Sequence, residues 1–225
     1  MRNPSGTWSS IPPDHDRVTS AAVAAEQAAR ELYGHGASRI VQYVDILATR
    51  GVRYGLLGPK EASRIWERHI LNSAALSQLI EPGSTVIDVG SGAGLPGIPL
   101  AVLRADLRIT LLEPLLRRFT FLVEALSELE LTERVDVVRA RAEHHAGRYD
   151  VVVARAVAPL DRLIGWCDPL RRPGGVLLAL KGQNAGAEIG QAAPVLAGQR
   201  LVAELITAHA DPRADPTFVV RIADR

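Results

Sequence analysis

The residues with the strongest chemical signature run Val86-Ile87-Asp88-Val89-Gly90-Ser91-Gly92-Ala93-Gly94-Leu95-Pro96-Gly97. A short apolar strand feeds a turn that glycines make most easily. Glycine permits positive φ, and its missing Cβ lets a ligand press against the backbone. The following helix presents free N–H groups there, and Pro96 and Pro99 suit its first turn, where no N–H is needed. Two ligand chemistries fit. Gly92 to Gly97 reads as the dinucleotide pattern G-x-G-x-x-G. The longer string, with acidic Asp88 ahead of Gly90, Gly92 and Gly94, is the pattern of S-adenosylmethionine enzymes. A purely structural turn is the third reading. Both ligand readings need a carboxylate after the second strand to bind ribose hydroxyls, and Glu113 stands about 20 residues on.

The elements around this turn follow from periodicity. Residues 19–33, 38–50 and 60–79 carry helical patterns, ended by Gly34 and Gly36, by Gly51, and by Pro82-Gly83. From residue 84 onward strand and helix signals alternate. Strands are expected at 85–89, 107–113, 135–139, 149–154 and 176–181. Helices are expected from the glycine turn to about 104, and at 115–130, 160–170 and 185–196. The alternation implies a parallel sheet covered by helices on both faces. The last two strands, 201–208 and 217–222, have no helix between them and should pair as an antiparallel hairpin at one edge. A dehydrogenase would need a further catalytic domain. Only these two strands follow the fifth, which favours the methyl-donor reading over the dinucleotide one.

The chain has 225 residues, 47% of them hydrophobic and 23% charged, enough for one domain with a small extra lobe. The lone Cys167, beside Trp166, reads as core and fits a reducing cytoplasm. His144-His145 lacks partners at metal-ligand spacing, so no metal is expected. Twenty-six basic against 25 acidic side chains leave a net charge of +1, low for a protein that holds naked nucleic acid by bulk charge. Only Lys60 and Lys181 are lysine, so the basic surface is built from arginine forks, which suit phosphates and base edges. No window approaches ~18 consecutive apolar residues, so no membrane span is expected. Residues 1–18 read as a mobile tail.

Further blocks carry a resemblance. Arg68-His69-Ile70-Leu71-Asn72-Ser73, the run Gly90 to Leu100 with its Leu-Pro-Gly-Ile-Pro, Ala154-Arg155-Ala156-Val157-Ala158, Trp166-Cys167, and Leu178 to Gly182 resemble the RsmG (GidB) family of bacterial small-subunit rRNA guanine-N7 methyltransferases. The resemblance covers about residues 36 to 222. It implies a Rossmann-like α/β fold with a seven-stranded mixed sheet over 83–225, preceded by a helical extension over 19–82. It implies S-adenosyl-L-methionine as donor and a guanine in the helix-18 loop of 16S rRNA, near the decoding centre, as target. It implies cofactor contacts at Gly90, Leu95, Ala142, Glu143 and Arg155. Asn72 departs from the aspartate common at that place in the family, which removes a negative charge.

Beside these, Gly92 and Gly94 would give close backbone approach to the donor and Glu113 would bind its ribose. Arg155, Arg68, His69 and Lys181 are the candidates for substrate placement, and no catalytic acid or base is expected. Arg117-Arg118 and Arg171-Arg172 are candidate rRNA contacts. The expected partner is 16S rRNA within the small subunit or an assembly intermediate, met by a cytoplasmic monomer. A same-fold methyltransferase for a small molecule or protein, and a non-catalytic nucleotide binder, are the alternatives.

Overall fold

The computed structural model describes residues 14–58, 61 and 64–225. Seven strands form one sheet: β1 Thr85–Val89, β2 Arg108–Leu112, β3 Val135–Val138, β4 Tyr149–Arg155, β5 Arg171–Lys181, β6 Leu201–Ala208 and β7 Thr217–Asp224. Their order is β3-β2-β1-β4-β5-β7-β6. The first five are parallel. β7 pairs antiparallel with both β5 and β6, which is the expected terminal hairpin. The strand order reverses between β1 and β4. In open α/β sheets that crevice, at the carboxyl ends of the strands, is where ligands bind.

Strand residues alternate between two cores. Val151 and Val153 of β4 face one hydrophobic cluster, and Val152 and Ala154 face the other. The first cluster also takes in α1 (Asp14–Tyr33), α2 (Ala37–Ile46), α3 (Gly97–Leu103) and α4 (Leu116–Glu128). The second is covered by α5 (Leu160–Cys167) and α6 (Ala185–Gly198). The strands are apolar on both faces because helices cover both. Cys167 is buried in the second cluster.

Several boundaries differ from the sequence expectation. The first helix begins at Asp14 rather than 19, so it takes in part of the expected tail, while residues 1–13 lie outside the described residues. The second helix ends its α geometry at Ile46 and widens into a π-type turn, Leu47–Gly51. The expected third helix is a composite: a π-type segment Ile65–Leu71, an α-turn Asn72–Ala74 and a 3₁₀ segment Ala75–Leu79. Its expected start at Lys60 lies outside the described residues. A π-type segment carries one extra residue per turn and often marks a functional site. Here it holds Arg68 and His69. The Pro173-Gly174-Gly175 turn is absorbed into β5, with an irregular register opposite Tyr149 and Val151. Among the described residues no helix is long and apolar enough to cross a membrane.

Candidate active site

The glycine turn leaves β1 at the point where the strand order reverses. The Gly90 and Ser91 N–H groups both donate to Leu112 O at the end of β2, at 2.8 and 3.2 Å, so the turn is stitched to its neighbour strand. Gly90 sits at φ +70°, and a Cβ there would lie 2.9 Å from Val157 Cγ2. Gly94 sits at φ +95°, and a Cβ there would lie 2.8 Å from Ile98 Cγ1 and 3.1 Å from Tyr43 Oη. Both positions exclude larger residues by conformation and by space.

Two carboxylates hold the turn in shape. Asp88 Oδ2 accepts the Gly97 N–H at 3.0 Å, tying the start of α3 back to β1. Glu113 Oε2 accepts the Gly92 N–H at 3.0 Å, and Oε1 accepts the Leu115 N–H at 2.9 Å. Glu113 therefore faces the turn, and Arg118 Nη1 stands 3.9 Å away. Both carboxylate oxygens already hold backbone N–H groups, so any ribose hydroxyl would share them.

Asp88 is fully buried, and its Oδ1 has no hydrogen-bond partner among the described residues. Burial pushes its carboxyl up to about 7, against the pull of the Gly97 N–H and Ser91. An acid whose folded pKa is raised stabilises the fold fully below its unfolded value and loses that contribution as pH rises through the folded value. Asn cannot titrate. The stability of the native chain relative to Asp88→Asn, from urea melts, should fall between about pH 4 and pH 7 and stay level above. A difference independent of pH would mean that Asp88 is ionised throughout.

One support of the turn comes from far away in the chain. Tyr43 of α2 is fully buried, and its hydroxyl donates to Ala93 O at 2.8 Å. Nothing in local spacing announces a bond across 50 residues. Tyr43→Phe leaves that carbonyl unpaired in the core, which should cost ~1–2 kcal/mol. A shifted urea midpoint with an unchanged slope would show it.

Two cavities open at this end of the sheet. The smaller, about 160 Å³, is lined by Gly90, Pro114, Ala142, Glu143, Val157 and Trp166 among others. Whole-ligand pockets are usually ~300 Å³ or more, so this one suits one end of a ligand. The larger, about 1060 Å³, contains all four expected placement residues, Arg68, His69, Arg155 and Lys181, together with Asn72. Val157 lines both cavities, so they meet beside Gly90. Gly90, Ala142 and Glu143 are thus brought together. Gly92, Gly94, Leu95 and Glu113 line neither cavity, and Arg155 lines the larger one.

The placement residues differ in how free they are. Lys181 Nζ donates to Ala158 O at 2.8 Å and pairs with Glu188 Oε2 at 2.7 Å, so it braces the segment after β4. Arg155 Nη2 donates to His69 Nδ1, while Arg155 Nη1 is buried without a partner among the described residues. Ala156, just after it, is held at φ +52°, a strained conformation for a residue with a Cβ. Burial, helped by the Arg155 charge, pulls the His69 ring down to about 4, so it is neutral at pH 7. Asn72 Oδ1 accepts the Thr217 hydroxyl at 3.0 Å. The cleft also holds carboxylates that sequence spacing did not single out: Glu61, Glu67, Glu188 and Asp215. Glu67 is a partner of Arg64, and it raises the Asp215 carboxyl, which it faces.

Of the other basic candidates, Arg171 is withdrawn from RNA. It is buried and bonded to Asp168 at 2.6 Å and to Asp224 at 2.8 Å. Arg172 pairs with Asp150. Arg117 donates to Arg53 O and lies over the Tyr54 ring. His144 ends a short 3₁₀ turn, Ala142–His144, and His145 just after it bonds Tyr149 Oη. No cluster of metal-ligating side chains occurs among the described residues.

Comparison with known proteins places the same span in one group. The family profile described as rRNA small subunit methyltransferase G matches residues 37–214. Ribosomal RNA small subunit methyltransferase G of Salinispora tropica is 52% identical over 207 residues, covering 87% of this chain and 85% of that protein. The protein of that name from Thermobifida fusca is 51% identical over 203 residues, covering 89% and 85%. Among solved structures, a SAM dependent methyltransferase from Aquifex aeolicus superposes with a TM-score of 0.52 over 68% of this chain and 89% of that one, at 13% identity. That last likeness is one of fold.

Proposed function

The chain belongs to the rRNA small subunit methyltransferase G family, and from that premise we propose that it methylates the N7 of a guanine in the helix-18 loop of 16S rRNA, with S-adenosyl-L-methionine as donor. The observation that carries this reading is the pair of cavities meeting at Val157, beside the glycine turn, where the strand order reverses. Residues 83–225 would carry methyl transfer and residues 19–82 would roof the cleft. The protein would work as a cytoplasmic monomer on the small subunit or an assembly intermediate.

The residues present fit such a donor. The smaller cavity, walled by Ala142, Glu143 and Trp166, would take its base, and the backbone at Gly90 leaves room where a Cβ would collide with Val157. Arg155 Nη1 is a buried cationic donor with no acceptor among the described residues. A buried cation calls for an anion, and the donor's carboxylate or an rRNA phosphate would supply it. When bound, the donor supplies a methyl group on a sulfonium centre, already activated as a leaving group.

Guanine N7 carries an in-plane lone pair and no proton at neutral pH. The chain's own residues therefore have orientation and water exclusion to perform, and no proton to move. Orientation of that kind can contribute ~7–11 kcal/mol. His69, neutral and tied to Arg155, is a positioning group on this reading rather than a base. Lys181 fixes the segment after β4 through Ala158.

Mass mapping of 16S rRNA from a strain lacking the gene tests the proposal. It expects one guanine to lose a methyl group, restored by the native gene. An unchanged methylation map would sink it.

A further inference from the structure

The large cleft contains a buried donor with nothing to donate to. His69 is 4% exposed, and its Nδ1 accepts from Arg155 Nη2. An arginine nitrogen only donates, so the imidazole proton sits on Nε2. That Nε2–H has no hydrogen-bond partner among the described residues. The carboxylate Oε1 of Glu61 is 4.0 Å away, beyond hydrogen-bond reach. Glu61 Oε2 accepts the Gly58 N–H at 3.2 Å, which aims the other oxygen toward His69. A donor and an acceptor thus stand side by side on the wall of one cleft without satisfying each other.

Their order along the wall carries information. Val157 belongs to both cavities, Arg155 lies two residues before it, His69 is bonded to Arg155, and Glu61 comes next. The edge of a guanine presents, in sequence, the N7 acceptor, the O6 acceptor, the N1–H donor and the N2 amine donor. N7 must be left free of donors if its lone pair is to attack. The base has to be held by the atoms that follow. We infer that His69 Nε2–H donates to O6 of the target guanine and that the Glu61 carboxylate accepts its N1–H, so that these two residues select guanine over adenine. The inference rests on the guanine-N7 reading above.

Adenine would present an amine donor to the His69 donor and a ring lone pair to the carboxylate. Both contacts become repulsive, and buried polar groups left unpaired discriminate far more strongly than a missing methyl group does. The pair also acts on rate. Methylation at N7 places positive charge on the purine and makes N1–H a better donor. The bond to Glu61 strengthens as that charge develops, which is a contribution to the transition state rather than to ground-state binding.

The test compares the native enzyme with Glu61→Gln on small subunits reconstituted with guanine or with adenine at the target position. Glu61 is about half exposed, so the variant should fold normally. Donor affinity, read by calorimetry, should stay within about twofold of native. The guanine-to-adenine ratio of kcat/KM should fall about 30-fold, as expected for losing one good base contact. That ratio is a readout that a merely structural role would not move. A ratio unchanged within about twofold, with the native enzyme still methylating guanine N7, overturns the inference and leaves the functional reading standing. A native enzyme that leaves guanine N7 unmethylated overturns both.

Discussion

Gly94→Ala should abolish measurable donor binding and cost the protein about 3 kcal/mol of stability. The residue sits at φ +95°, where an L side chain is strained whatever the space around it. The added methyl would also meet Ile98 Cγ1 at 2.8 Å, with Ile98 Cδ1 nearer still, and Tyr43 Oη at 3.1 Å. Ile98 is fully buried, so it has no open direction in which to retreat. The relief available is a shift of the turn itself, which would pull on the Tyr43–Ala93 and Glu113–Gly92 bonds together. Calorimetric titration with S-adenosylmethionine and a urea melt read the two effects. The same change at Gly190, inside α6 with nothing within 4 Å of a new Cβ, should instead stabilise by up to ~1 kcal/mol. Equal behaviour of the two variants would contradict the role given to the turn.

Arg155→Lys should lower methyl transfer to small subunits by about 100-fold or more while the melting transition stays near native. The guanidinium offers one nitrogen to His69 Nδ1 and keeps a second buried and unpaired. An ammonium on a flexible stem preserves the charge but cannot hold that fork geometry. Losing the bond to Nδ1 frees the imidazole to change tautomer, so the cleft loses its Nε2 donor. The loss should appear in kcat as well as KM, because both groups would act on a positioned base. A Lys variant within about threefold of native would mean that Arg155 contributes charge alone.

Much of the architecture was legible because it rests on local signals. Alternating Val-rich strands and helices require a two-sided sheet, and the missing helix between β6 and β7 requires a hairpin. Gly90, Gly92 and Gly94 announced the turn, and the distance along the chain placed Glu113 after β2, where its carboxylate accepts the Gly92 N–H. The segment before the sheet was less legible. Its hydrophobic period marks a helix, but period alone does not register the wide turns at Leu47–Gly51 and Ile65–Leu71.

The site was legible by residue type and illegible by partner. Arg68, His69, Arg155 and Lys181 do share one cleft. That Lys181 is held by Glu188, that Arg171 is consumed by Asp168 and Asp224, and that Tyr43 props Ala93 are long-range facts with no local spacing to betray them. Trp166 lay inside a recognised block, yet its place in the wall of the small cavity needed the packing of α5 to be seen. Nothing in local spacing singles out Glu61, whose carboxylate stands 4.0 Å from the buried His69 Nε2.

The most direct measurement incubates the purified protein with unmethylated small subunits and methyl-labelled S-adenosylmethionine, then cleaves the rRNA by borohydride and aniline chemistry, which breaks the chain at 7-methylguanosine. The account predicts label in 16S rRNA and a single new cleavage, at one guanine of the helix-18 loop. Label that resists this cleavage, or that falls on protein, or no label at all in the presence of bound donor, would contradict it.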